Sequence, residues 1–275
     1  MSRRARFSLL LLPLFIISFS AASVVIRHDA DDARYRADAA EFPALVDLPH
    51  EGHGVLVAPQ WVLTAAHAVS WQQSVDSVVI NGESREVEAL IRHSGYQSLP
   101  PEVIKEAETL DDPAGIFELL RASDDIALLK LAAPVDDVRP AVLYRGAIEA
   151  GQRVKIIGKG ATGNGLRGHE PQGPNRTELR RAFNEISGIE DRWLTYTFDA
   201  PPEGLPLEGM AGNGDSGSPL LVEVDGEWQV AGLTSWKFAD VALSEFRPAM
   251  YGQLSYNVRI EHYRDWIETR VGSLN

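Results

Sequence analysis

Residues 214–219 read GDSGSP, inside the longer stretch AGNGDSGSPL (211–220). Three glycines crowd an Asp-Ser pair just ahead of an apolar run. Gly, Asn, Asp and Ser are the usual turn residues, so taken alone the stretch reads as a tight turn. The same glycines would also let backbone N–H groups converge beside an exposed serine hydroxyl. Working outward, two more stretches bear on the choice. WVLTAAHAV (61–69) places His67 at the end of an apolar run, after a small-residue turn. DDIALLKL (124–131) carries Asp125 into a strongly apolar strand. Alone, His67 reads as a satisfied core or loop histidine and Asp125 as a solvated strand end.

Together the three stretches supply a nucleophile, a base and a group to orient the base. A serine hydroxyl is a weak nucleophile at neutral pH and needs a neighbour to accept its proton. Neutral imidazole suits that task, because its ordinary pKa lies close to working pH. A buried carboxylate behind the imidazole fixes its tautomer and stabilises the imidazolium. The order here is His, Asp, Ser. α/β-Hydrolases run Ser, acid, His, and subtilisins run Asp, His, Ser. The α/β-hydrolase elbow Gly-x-Ser-x-Gly is also not satisfied by Gly214-Asp215-Ser216-Gly217-Ser218.

TAAH, DIALLKL and GDSGSP, in that order, resemble the chymotrypsin/trypsin family of serine endopeptidases. Further stretches agree: Gly54 to Val57 leading to Trp61-Val62-Leu63, the HSGY at 93–96, Ser235-Trp236, and Pro248 to Tyr251 followed by Asp265-Trp266-Ile267. The similarity runs over about residues 42–268. It implies an all-β fold of two antiparallel six-stranded β-barrels, with a C-terminal helix. The first barrel, within 24–140, would carry His67 and Asp125. The second, within 141–275, would carry Ser216. Backbone N–H groups of Gly214 and Ser216 would form the oxyanion hole. Asp215 would be a buried structural carboxylate, pairing in the family with a freed N-terminal amine. Met210, Ala211, Asn213, Ser235, Trp236, Lys237 and Ala249 would bind substrate.

Departures from the family pattern bear on specificity and maturation. Six residues before Ser216, where trypsins keep an aspartate, stands Met210, and Trp236 is followed by Lys237 instead of glycine. The expectation is an enzyme that does not prefer Arg or Lys. The usual Ile-Val-Gly-Gly activation site is missing. The apolar Val24-Val25-Ile26 either inserts near Asp215 once the leader is cut, or Asp215 pairs internally and no zymogen step exists. Residues 101–122 have helical composition, read as two short helices broken at Pro113, and lengthen the segment before Asp125. A passive surface insertion is the simpler reading; a lid or a partner surface is the other.

The bulk numbers fit this picture. A formal net charge of −13 disfavours nucleic acid or an anionic membrane as partner. Arg3, Arg4 and Arg6, the apolar run from Ser8 to Phe19, and Ser20-Ala21-Ala22-Ser23 read as a secretory signal peptide over 1–23. A chain with no cysteine excludes thiol catalysis and suits a bacterial periplasmic or secreted protein held together by packing. Seven histidines are scattered with no HExxH, so neither metal nor cofactor is expected. The expected molecule is therefore a monomeric, exported hydrolase acting on polypeptide. A catalytically silent binding module and an esterase on the same fold are the rival readings.

Overall fold

The computed structural model describes residues 24–146, 150–170 and 172–272. The signal-peptide expectation for 1–23 lies outside the described residues. The described residues open with β1 (Val24–Ile26), and the first half then folds from β2 (Leu45–Asp47), β3 (His53–Ala58), β4 (Trp61–Thr64), β5 (Ser77–Ile80), β6 (Glu83–Arg92) and β7 (Ala127–Leu131). These six close into a barrel in the order β2-β3-β4-β7-β6-β5. Their β-branched and leucine side chains fill it; Val46, Val55, Leu63, Ile80, Leu128 and Leu129 are fully buried. The β5–β6 hairpin turns on Asn81 and Gly82, with φ of 51° and 80°, the two left-handed positions that such a turn demands.

The second half contributes β8 (Arg153–Gly158), β9 (Thr162–Asn164), β10 (Gly168–His169), β11 (Arg180–Glu185), β12 (Gly188–Glu190), β13 (Trp193–Thr197), β14 (Gly209–Met210), β15 (Pro219–Val224), β16 (Glu227–Phe238) and β17 (Leu254–Arg259). Seven of these form one curved sheet in the order β11-β8-β15-β16-β17-β13-β12. It makes a half-barrel facing the closed one, so the two-barrel architecture holds with a different strand count in its second member. A four-stranded sheet, β10-β9-β1-β14, lies beside it. The two sheets touch where Phe183 bridges Glu208 and the Asn184 side chain donates to the Gly209 carbonyl at 3.2 Å.

Two local details were open in the sequence. The glycine-rich stretch 158–174 contains the β9–β10 hairpin. The last strand begins only at Leu254. The reason is the Gln253 side chain, whose Oε1 accepts from Ala249 N and Met250 N while its Nε2 donates to Arg247 O. These bonds hold 247–253 as a turn, with Ala249 and Gly252 at φ of 67° and 83°. The terminal helix is as expected: a 3-10 turn over Ile260–Tyr263 runs into α3 (Arg264–Val271); the first two helices of the chain are described next.

Between β6 and β7 stand α1 (Pro101–Leu110) and α2 (Ala114–Ala122). Pro113 separates them, because a proline inside a helix has no N–H for the ladder. The pair docks onto the second half. Phe117 packs against Trp236, Phe238 and Phe246, with ring centroids 5.8, 4.9 and 6.3 Å apart. The α1 terminus is tied down as well: Asp111 Oδ1 and Oδ2 accept from Ser244 N at 2.7 Å and Ser244 Oγ at 2.8 Å. Trp193 Nε1 donates to Arg121 O at 3.0 Å.

Candidate active site

His67 sits in a 3-10 turn, Ala66–Val69, that follows β4 directly. Ala65, Ala66, Ala68 and Val69 are all buried, so small residues let this turn press against the barrel wall. Asp125 lies just before β7. Its neighbour Asp124 anchors that approach, accepting from Arg192 at 2.6 Å and from Tyr263 Oη at 2.8 Å. One Asp125 oxygen accepts the His67 backbone N–H at 2.7 Å, and the other faces His67 Nδ1 at 2.7 Å. Ser235 Oγ donates a third bond to Asp125, at 2.5 Å.

The other ring nitrogen, His67 Nε2, is 2.7 Å from Ser216 Oγ. A carboxylate only accepts, so Nδ1 carries the ring proton and Nε2 is left to accept from the serine hydroxyl. The His67 side chain is 34% exposed and that of Asp125 only 7%. The imidazole therefore opens to the cleft while the carboxylate is shut away. Burial works against a charged imidazole, but the charge and hydrogen bond of Asp125 outweigh it and raise the His67 pKa above its ordinary 6.5. Burial likewise opposes the Asp125 carboxylate, and His67 and Ser235 together outweigh it, so that its pKa is lowered.

Ser216 arrives on a loop shaped by glycines. Gly214 and Gly217 have φ of 82° and 75°. A Cβ on Gly214 would meet the Asn175 carbonyl oxygen at 2.2 Å, and one on Gly217 would meet His53 O and Thr64 Oγ1 at 2.3 Å. The loop is stitched to the first barrel by His53 N donating to Ser216 O at 2.7 Å and Gly52 N to Gly214 O at 3.2 Å. Among the described residues, the N–H groups of Gly214 and Ser216 donate to no backbone or side-chain acceptor. Two such donors beside a serine hydroxyl are what an oxyanion requires.

Asp215 is completely buried at the centre of this loop. Its oxygens accept from Gly160 N at 2.7 Å and Gly212 N at 2.8 Å. The Val24 backbone adds a further hydrogen bond. Burial nevertheless pushes its pKa up to about 6. Strand β1 reaches this place because Val24 and Val25, both fully buried, run between β9 and β14. The apolar Val24-Val25-Ile26 thus lies beside Asp215, and Lys237 is the cation that acts on this carboxylate from within the chain.

A cavity of about 420 Å³ opens beside Ser216. Of the residues expected to bind substrate, Asn213, Ser235, Trp236 and Lys237 line it. Met210, Ala211 and Ala249 do not; each is fully buried, behind the wall. Part of the wall was not foreseen. Ile116, Phe117 and Leu120 of α2 line the cavity, as do Glu51 and Asn175 on another side. The insertion is therefore not a passive surface feature. A second cavity of about 350 Å³ adjoins His67 and Asp125, and Leu120, Ser235 and Trp236 border both. The signal that was available is the Ile116, Phe117, Leu120 spacing, which places three apolar side chains on one helix face. Which surface that face would cover is a tertiary fact. Among the described residues, no cluster of His, Asp and Glu is disposed to hold a metal ion.

Comparison with known proteins places this geometry in context. Mouse tryptase is 27% identical over 230 residues, which is 79% of this chain and 77% of that protein. Human chymotrypsin-like elastase family member 3B is 24% identical over 241 residues, 82% of this chain and 79% of its own length. Bovine proproteinase E is 24% identical over 241 residues, covering 82% and 85%. The family model described as Trypsin matches residues 33–267, a span that includes His67, Asp125 and Ser216 and both halves of the fold, and the chain accordingly belongs to the trypsin family of serine peptidases.

Proposed function

We propose that this protein is an exported serine endopeptidase, secreted or periplasmic, that cleaves polypeptides as a monomer without a cofactor. One observation carries the reading: His67 stands 2.7 Å from both Ser216 Oγ and Asp125 Oδ2, although the serine and the other two come from different halves of the chain. Ser216 Oγ attacks the substrate carbonyl as its proton passes to His67 Nε2. Asp125 holds the resulting imidazolium. The oxyanion of the tetrahedral intermediate accepts from Gly214 and Ser216 N–H, and His67 then returns the proton to the leaving amine. Water repeats the cycle on the acyl-enzyme. Asn213, Ser235, Trp236 and Lys237 receive the acyl part of the substrate, with Met210, Ala211 and Ala249 supporting from behind.

The reading includes a specificity other than Arg or Lys, since Met210 replaces an acid and Lys237 brings a positive charge to the cavity. It also includes removal of 1–23 on export, which would leave Val24 as a free amine beside Asp215. No helix of the described residues is long and apolar enough to cross a membrane. The test is covalent. A fluorophosphonate probe should label the exported protein, and casein should be cut. Both should vanish in Ser216→Ala with the circular dichroism spectrum intact. Labelling that survives Ser216→Ala would place the nucleophile elsewhere.

A further inference from the structure

Lys237 is the one charged side chain of the acyl-side strand segment Ser235-Trp236-Lys237, and the one cation lining the cavity next to Ser216 among the described residues. Its surroundings do not suit an ammonium. Phe117, Leu243, Phe246 and Pro248 line the same space. Burial there drives the lysine pKa down to about 8. An ammonium taken out of water needs a paired anion to offset the loss of hydration. No carboxylate of the described residues lies within the 4.0 Å that defines an ion pair.

The charged neighbours on every side can be named. Asp215 attracts Lys237 from a distance, but its two oxygens are already taken by Gly160, Gly212 and Val24. Glu51, the one carboxylate lining the cavity among the described residues, is held by the Asn175 side-chain amide at 2.5 Å. His67 and His169 also feel Lys237, each having its pKa pressed down by it. His169 donates its backbone N–H to Pro248 O at 3.1 Å, and its buried Nδ1 has no hydrogen-bond partner. Lys237 thus has two histidine rings and apolar side chains around it, two engaged carboxylates, and an open cavity in front of the reactive serine.

We propose that Lys237 selects the substrate: the residue whose carbonyl Ser216 attacks carries a side-chain carboxylate, and that carboxylate pairs with the Lys237 ammonium inside the cavity. The enzyme is then an endopeptidase that cuts after Asp or Glu. This rests on Ser216 being the nucleophile, and the experiment separates the two claims. Fluorogenic peptides identical except for the residue before the cleaved bond (Asp, Glu, Ala, Leu, Phe, Lys, Arg) are offered to the exported protein, to Lys237→Met and to Lys237→Glu. Each is titrated with the fluorophosphonate in parallel. The wild type should favour Asp or Glu over Ala by about 30-fold or more in kcat/KM, the scale of a desolvated charge pair. Lys237→Met, which keeps the aliphatic stem and removes a buried charge, should flatten that ratio to near unity. Lys237→Glu should turn the preference toward Lys and Arg. Labelling of the wild type with a flat, apolar or basic preference overturns the role of Lys237 and leaves the nucleophile standing. So does an acidic preference that survives Lys237→Met. A protein that neither labels nor cleaves any peptide overturns both.

Discussion

The two halves bring their groups to the cleft in different ways. In the first, His67 and Asp125 belong to one closed barrel, and a backbone N–H of one is bonded to the carboxylate of the other. Their relation is set by the barrel's own packing. In the second, Ser216 rides on a loop with two left-handed glycines and a buried carboxylate at its centre. That loop borrows its shape from outside: from β1 through Val24, from Gly160, and from the His53 backbone of the opposite barrel. His67 and Asp125 form a rigid unit. Ser216 and the N–H groups of its loop keep their places only while distant segments stay docked.

The largest effect should come from breaking the rigid unit. Asp125→Asn keeps the size but offers an amide where His67 Nδ1–H needs an acceptor, so the ring is driven toward the wrong tautomer. Turnover should fall on the order of 10⁴ with substrate binding nearly intact. The pH profile gives a second readout. Wild-type kcat/KM should rise with pH through the His67 pKa, because only the neutral ring accepts the serine proton, and that pKa lies above 6.5. Without the Asp125 charge, burial remains as the main influence and it disfavours the imidazolium. The acid limb should therefore move to lower pH in Asp125→Asn. A limb that stays in place means the titrating group is not His67.

The borrowed geometry of the second half should fail by a smaller factor. Gly214→Ala forces a side chain to φ 82° and drives its Cβ toward the Asn175 carbonyl, 2.2 Å away. The loop must shift, and the Gly214 N–H leaves its place. Losing one oxyanion donor is worth about 10²–10³ in turnover. The first barrel should be untouched, so the pH limb of the residual activity should match the wild type. Full turnover in Gly214→Ala would mean that the loop tolerates both hands of backbone and that the contrast between the halves is false.

How far these features can be read in the chain follows the same division. The strands of the closed barrel are legible because they are long enough to show β-branched runs, and because Asn81-Gly82 announces the hairpin; their closure into a barrel was implied by the family resemblance. The break at Pro113 was legible for the chemical reason that proline has no N–H. Strands of two or three residues, such as β1, β10 and β14, have no period to detect. They exist through pairing within the sheet β10-β9-β1-β14, and β1 brings Val24 to Asp215. Ser235 was expected in the substrate strand, but its hydroxyl bond to Asp125 spans 110 positions of sequence. Met210, Ala211 and Ala249 were expected to touch substrate, yet partners unseen in the sequence put them behind the wall. The role of α2 as a wall of the cleft was equally hidden.

That wall belongs to one half by sequence and to the other by packing, and it offers the mildest way to test the contrast. Phe117 is 8% exposed and enclosed by Trp236, Phe238 and Phe246. Removing a buried phenylalanine ring costs about 3 kcal/mol or more. The cost should fall on the docking of α1 and α2 before the barrels, because apart from Phe117 the pair is tied mainly by polar bonds, among them Asp111–Ser244, Trp193–Arg121, Arg121–Tyr256 and Arg192–Ala122. In Phe117→Ala, amide protons of 101–122 should exchange faster while those of β7 and β16 hold. Activity should divide accordingly. A small fluorophosphonate touches only the groups around Ser216, and its labelling rate should change by less than about threefold. A peptide long enough to lie along Ser235-Trp236-Lys237 also meets α2, and its KM should rise by about tenfold, the loss of roughly one good apolar contact. If the long peptide and the small probe respond alike, α2 supports the fold of the cleft as a whole and does not meet the substrate.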